Sequence, residues 1–263
     1  SPDVYTTQDN QFTPGAVMYF SGNSGDHVRF ELMGATQTLA GFDNTASASQ
    51  RGVIQHREQA TTAIAVDTMS TLIVNGSGSY YFNGYLRDAG GVLELIKTGS
   101  GTQTLAGSAI YHTGQTTVQQ GRLKLENTTI FMSTIANSAE VEFSATGVTD
   151  VDGGTHLTGT GTWYKTGASV FGLLNSTVAA SGKFYVQNGA FRNNGNSCNW
   201  IGCTADMDIS AGATLDLYAD DIHVDSLTGA GNVDNGLDQP QTLYVGVAGG
   251  SGTFSGIITD ALN

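Results

Sequence analysis

The chain has 263 residues, of which 36 are Gly, about 14% against a usual share of about 7%, while charged residues reach only 13%. Ten basic residues against 23 acidic ones give a formal charge of −13, which repels phosphate backbones and argues against nucleic-acid partners. Three Pro rule out collagen, a 39% hydrophobic share rules out disorder throughout, and no run reaches the roughly 18 apolar residues of a membrane span.

Ser1-Pro2 opens the sequence without Met or the apolar heart of a signal peptide, which suits a processed secreted protein or a trimmed piece of one. Residues 1–27, with Pro2 and Pro14, read as an N-terminal extended arm or cap; residues 28–263 read as repetitive β structure. Short alternating runs recur between Gly-rich turns: 28–32, 72–74, 93–96, 122–125, 141–143, 183–186, 214–217 and 243–245. Period-two alternation puts Leu, Val and Phe on one face of a strand and polar residues on the other. Residues 55–66 come nearest to a helical pattern and read equally well as a strand. Cys198 and Cys203, with four residues between them, suit a small disulfide loop of an oxidising compartment. The five His (27, 56, 112, 156 and 223) show no ligand spacing, so no metal or cofactor is expected beyond calcium on the acidic C-terminal third.

Internal repetition is the stronger signal. Residues 72–88 and 243–260 share a strand, Gly turn, aromatic, Gly, strand, Asp order. Lys97-Thr-Gly-Ser-Gly returns as Lys165-Thr-Gly-Ala-Ser, and Leu157-Thr-Gly-Thr-Gly-Thr as Leu227-Thr-Gly-Ala-Gly-Asn. Offsets of 68 and 70 fit three coils of about 23 residues, a solenoid dimension, with a β-sandwich or jelly roll as the competing arrangement. On the first pattern a further coil is expected after Asp260.

Within 91–125, Lys97, Gly99, Gly101, Leu105 and Gly107, then Tyr111, Gly114, Thr116, Val118, Gly121 and Leu123, follow an L-x-K-x-G-x-G-x-x-x-L-x-G and Y-x-G-x-T-x-V-x-x-G-x-L pattern, with one extra residue between Tyr111 and Gly114. This segment resembles the autotransporter-associated β-strand repeat, with weaker copies in 155–191 and 209–260. The resemblance implies an all-β, right-handed parallel β-helix (β-solenoid), a single elongated domain, in a secreted or surface-displayed bacterial protein.

Chemistry is thin. Asp220-Asp221 and Asp206 with Asp208 are the carboxylate pairs that could act as acid and base on a glycosidic bond. No Lys or Arg follows Arg192, whereas nine Asp do (206, 208, 216, 220, 221, 225, 234, 238 and 260), so an anionic sugar would be repelled. Asn75, Asn127 and Asn175 open Asn-x-Ser/Thr triplets, possible glycosylation sites at about the frequency chance supplies. Tyr80, Tyr81, Phe82, Tyr85, Tyr111, Trp163 and Tyr164 could stack on sugars or on one another in a solenoid core. The expectation is a non-catalytic extracellular subunit of a surface fibre, self-associating end to end through open solenoid ends. An adhesin or autotransporter passenger fragment is one alternative, and a β-helical protein binding or cleaving surface polysaccharides is another.

Overall fold

The computed structural model describes residues 3–21, 27–45, 52–57, 69–195, 197–237 and 239–260. Among them there is no helix; the sheets are all parallel and stack as a β-solenoid of about ten turns. Parallel pairing throughout excludes the sandwich and jelly roll, whose neighbouring strands run antiparallel. The chain divides into two compact units, Ser1–Ile135 and Ala136–Asn263.

In the first unit a turn consists of three short strands separated by tight corners. Val92–Lys97, Thr102–Leu105 and Ala109–Tyr111 form one such turn. Leu95 pairs with Leu72 of the turn before and Thr116 of the turn after; Thr104 pairs with Tyr81 and Lys124, and Ile110 with Leu86 and Phe131. Alternation explains the strand: Leu93, Leu95 and Lys97 point into the core, and Val92, Glu94 and Ile96 stay half-exposed. Within the N-terminal segment, Asp3–Tyr5 pairs with Val28–Glu31 and Val17–Tyr19 with Gly41–Asp43, both in parallel. Phe20 and Phe42 pack on Phe82 with ring centroids 5.2 and 5.0 Å apart.

In the second unit Val141, Trp163, Phe184, Met207 and Leu227 follow one another in register up a single inner column, 20 to 23 residues per turn. Phe143, Trp163 and Phe184 lie nearly parallel, with successive centroids 6.1 and 5.5 Å apart, and Phe191 and Trp200 close over Phe184. Each such ring pair adds about 0.5–1.5 kcal/mol beyond the area it buries.

All eight expected alternating runs lie on strands, within a residue or two at their ends. The reading of both offsets as three whole coils needs correction. Leu157 pairs with Val178 in one sheet, whereas Leu227 pairs with Met207 in another. Lys97, on Val92–Lys97, and Lys165, on Thr162–Thr166, lie in those same two different sheets, so neither 70 nor 68 is a whole number of turns. Leu-Thr-Gly-x-Gly is a strand end followed by a glycine corner, and more than one corner of a turn uses it. Of the ambiguous segment 55–66, Gln55 ends the strand Gly52–Gln55 and residues 58–66 lie outside the described residues, as do Ser1, Pro2, Asp238 and 261–263.

Candidate functional site

The residues of the repeat pattern are structural in kind. Leu105, Val118 and Leu123 are fully buried core, and Tyr111 is 40% exposed. At Gly101 a Cβ would run into the Gly78 carbonyl of the preceding turn. Gly121 has φ +67°, and a Cβ there would meet the carbonyls of Gly99 and Gly101. Gly99, Gly107 and Gly114 likewise abut backbone of the turn before.

Lys97 and Lys165 are charged residues turned into the core, each with under 3% of its surface exposed. The Lys97 ammonium donates to the carbonyls of Gly99 at its own corner and Gln120 one turn on. Lys165 Nζ donates to Thr166 (2.7 Å), Gly167 (2.9 Å) and Asn188 (2.8 Å) in the same manner. One lysine thus satisfies two or three corner carbonyls on successive turns. Burial pulls both amines down from 10.5 to about 8.

His56 and His112 are also fully buried. His56 Nδ1 lies 2.8 Å from Ser70 Oγ, which accepts from the Gly34 N–H. His112 Nε2 lies 2.9 Å from Thr116 Oγ1, itself 2.9 Å from Ser133 Oγ, which donates to the Gly114 carbonyl. The motif position Thr116 is thus the middle of a buried hydroxyl chain. Burial lowers both histidines, His112 to about 4, against a smaller raising influence of Asp88. No group of three His, Cys, Asp or Glu among the described residues is placed to hold a metal ion.

The carboxylates serve local structure. Asp206 and Asp208 share the outer face of one strand and accept from Ser226 Oγ (2.6 Å) and Thr228 Oγ1 (2.7 Å) of the next turn. Asp220 Oδ1 accepts from the Asp221 N–H, and Asp221 Oδ1 from the Thr242 N–H. Cys198 and Cys203 are free, buried thiols; Cys198 Sγ donates to the Leu173 carbonyl, and burial raises Cys203 to about 11. Asn127 and Asn175 adopt φ of 51° and 50°, the left-handed corner that Asn tolerates better than most residues, and Asn75 is exposed. Of the aromatics, Phe82 and Trp163 are core, whereas Tyr80, Tyr81, Tyr85 and Tyr164 are half-exposed. Tyr164 stacks on Tyr185 at 5.5 Å, and Lys183 Nζ lies 4.8 Å from the Tyr185 ring centre.

In the second unit an open groove of about 640 Å³ gathers polar chemistry. It brings Asn199 and Ile201 together with Asp220, Asp221, His223 and Tyr244. His223 and Tyr244 are register partners on adjacent turns, with ring centroids 4.4 Å apart. The Asp220-Asp221 pair is legible in the sequence as a dipeptide; its neighbours are not, because they come from three successive turns with no motif to link them.

A family model for the passenger-associated-transport-repeat matches residues 95–125. That match and the parallel β-solenoid together fit an autotransporter passenger-type repeat protein. No curated protein and no solved structure matches the chain significantly.

Proposed function

We propose that this passenger-type chain is a non-catalytic, surface-displayed β-solenoid that acts in adhesion. The carrying observation is that the pattern positions of the matched repeat serve structure: Leu105, Val118 and Leu123 are core, the glycines abut the turn before, and Lys97 serves two corner carbonyls. The carboxylate pairs support the same reading, since each of the four accepts a hydrogen bond from a neighbouring turn or from its own corner. Such a scaffold holds an extended array of half-exposed side chains in fixed register, which is what attachment needs and what turnover does not. Purified chain coated on beads should adhere saturably to glycan-bearing cell surfaces while releasing no sugar product from those surfaces. Product release abolished by Asp206→Asn with Asp208→Asn, or by Asp220→Asn with Asp221→Asn, would overturn the non-catalytic reading; absence of adhesion would overturn the adhesive one.

A fibre-forming subunit is the second reading, favoured by one observation. Among the described residues, Leu243–Val245 and Ile257–Ile258 each pair with a neighbour on one side only, and Val245, Ile257 and Ile258 are 50%, 61% and 66% exposed. Open parallel edges and uncovered aliphatic side chains are the surfaces on which another β turn stacks. Negative-stain microscopy across a concentration series distinguishes the readings: fibres lost on deleting residues 1–20 support assembly, and single particles at every concentration contradict it.

A further inference from the structure

We infer that the groove formed by Asn199, Ile201, Asp220, Asp221, His223 and Tyr244 binds an amine-bearing sugar of the glucosamine type. The inference rests on the adhesive reading and names the ligand chemistry for it. The groove lies in the ordinary size range of small-ligand sites, which is about 300–1,000 Å³. Its chemistry is specific in three respects.

First, the carboxylates are available. Asp220 and Asp221 each commit Oδ1 to a backbone N–H, at 2.9 and 2.7 Å, and neither Oδ2 has a partner among the described residues. No Lys or Arg follows Arg192, and Arg192 is itself held by Asp216 at 2.7 Å and by the Tyr218 ring. With two carboxylates against one histidine and no Lys or Arg in its lining, the site carries net negative charge, which favours an ammonium and disfavours a uronate.

Second, an aromatic surface stands beside the charge. Tyr244 is 44% exposed and braced by His223, so an apolar sugar face and an ammonium both find a ring to rest on, next to the 75% exposed Ile201. Third, there are hydrogen-bonding groups without partners. Trp200 lines the groove at 1% exposure, and its indole N–H has no hydrogen-bond partner among the described residues. That N–H is an unmet donor buried behind the groove wall, within reach of a ligand acceptor only if the wall shifts. The Asn199 amide N–H₂ and the Tyr244 hydroxyl add a donor and a donor–acceptor for ring hydroxyls.

The test is titration calorimetry of the full chain at pH 6 with a glucosamine tetramer, its fully N-acetylated counterpart and a galacturonic acid tetramer. Glucosamine tetramer should bind, its affinity should fall steeply with added salt, the N-acetylated tetramer should bind at least tenfold more weakly, and the uronate should not bind. Asp221→Asn keeps the acceptor for the Thr242 N–H, and with Tyr244→Ala it should lower affinity at least tenfold. The control Asp206→Asn with Asp208→Asn also removes negative charge, from the outer sheet face, and should leave affinity unchanged. Equal loss in the control would reduce the effect to diffuse attraction and overturn the site, as would equal affinity for the acetylated and free amines or absence of glucosamine binding. Bead adhesion that persists in the Asp221→Asn, Tyr244→Ala variant would leave the adhesive reading standing while removing this groove from it.

Discussion

Two residue types decide how the corners of this fold are satisfied. Lysine turns inward at Lys97 and Lys165 because its ammonium carries three donors, enough to serve carbonyls of two successive turns at once. Lys165→Met would leave the carbonyls of Thr166, Gly167 and Asn188 without that donor; we expect a loss of about 1–3 kcal/mol by urea denaturation. An unchanged midpoint would mean that the corner finds other donors. Histidine does a related job in neutral form. Because burial holds His112 near 4 against an ordinary 6.5, the unfolded chain binds more protons than the folded one between those values. Stability should therefore fall as pH drops from 6.5 toward 4, by up to about 3 kcal/mol for this residue, and His112→Gln should flatten that dependence. Unfolding midpoints at pH 7 and 4.5 for both chains measure the difference.

At the scale of the element, the strand and its corner are separate problems with separate solutions. The strand needs an inward column, and in the second unit that column is Val141, Trp163, Phe184, Met207 and Leu227. Trp163→Ala opens a cavity in the middle of it and should cost about 3–5 kcal/mol. The corner needs room for two backbones. Gly101→Ala drives a Cβ against the Gly78 carbonyl and should destabilise the first unit by about 1–3 kcal/mol, read as a lower thermal midpoint. A midpoint at or above that of the parent would mean the corner relaxes freely. Both requirements are local, and so both were legible: alternation marks the strands, and Gly marks the close approaches. What misled was the corner motif at Leu157 and Leu227, since a local pattern reports that a corner exists and not which corner of the turn it is.

Across the whole molecule, charge is distributed unevenly along the chain, with no basic residue after Arg192 and nine Asp in that stretch. The composition shows that imbalance, but not where it gathers. His223 and Tyr244 meet only because parallel register brings residues about twenty positions apart onto adjacent turns, and Trp200 lines the same groove while packing on Phe184 and Phe191. Sites of this kind are invisible to a linear reading because no two of their strands are neighbours in sequence. The functional account rests on exposure of this surface outside the cell. Antibody labelling of intact, unpermeabilised bacteria producing the protein tests that exposure most directly. The account predicts strong labelling that brief external protease treatment removes; signal that emerges only after permeabilisation would contradict it.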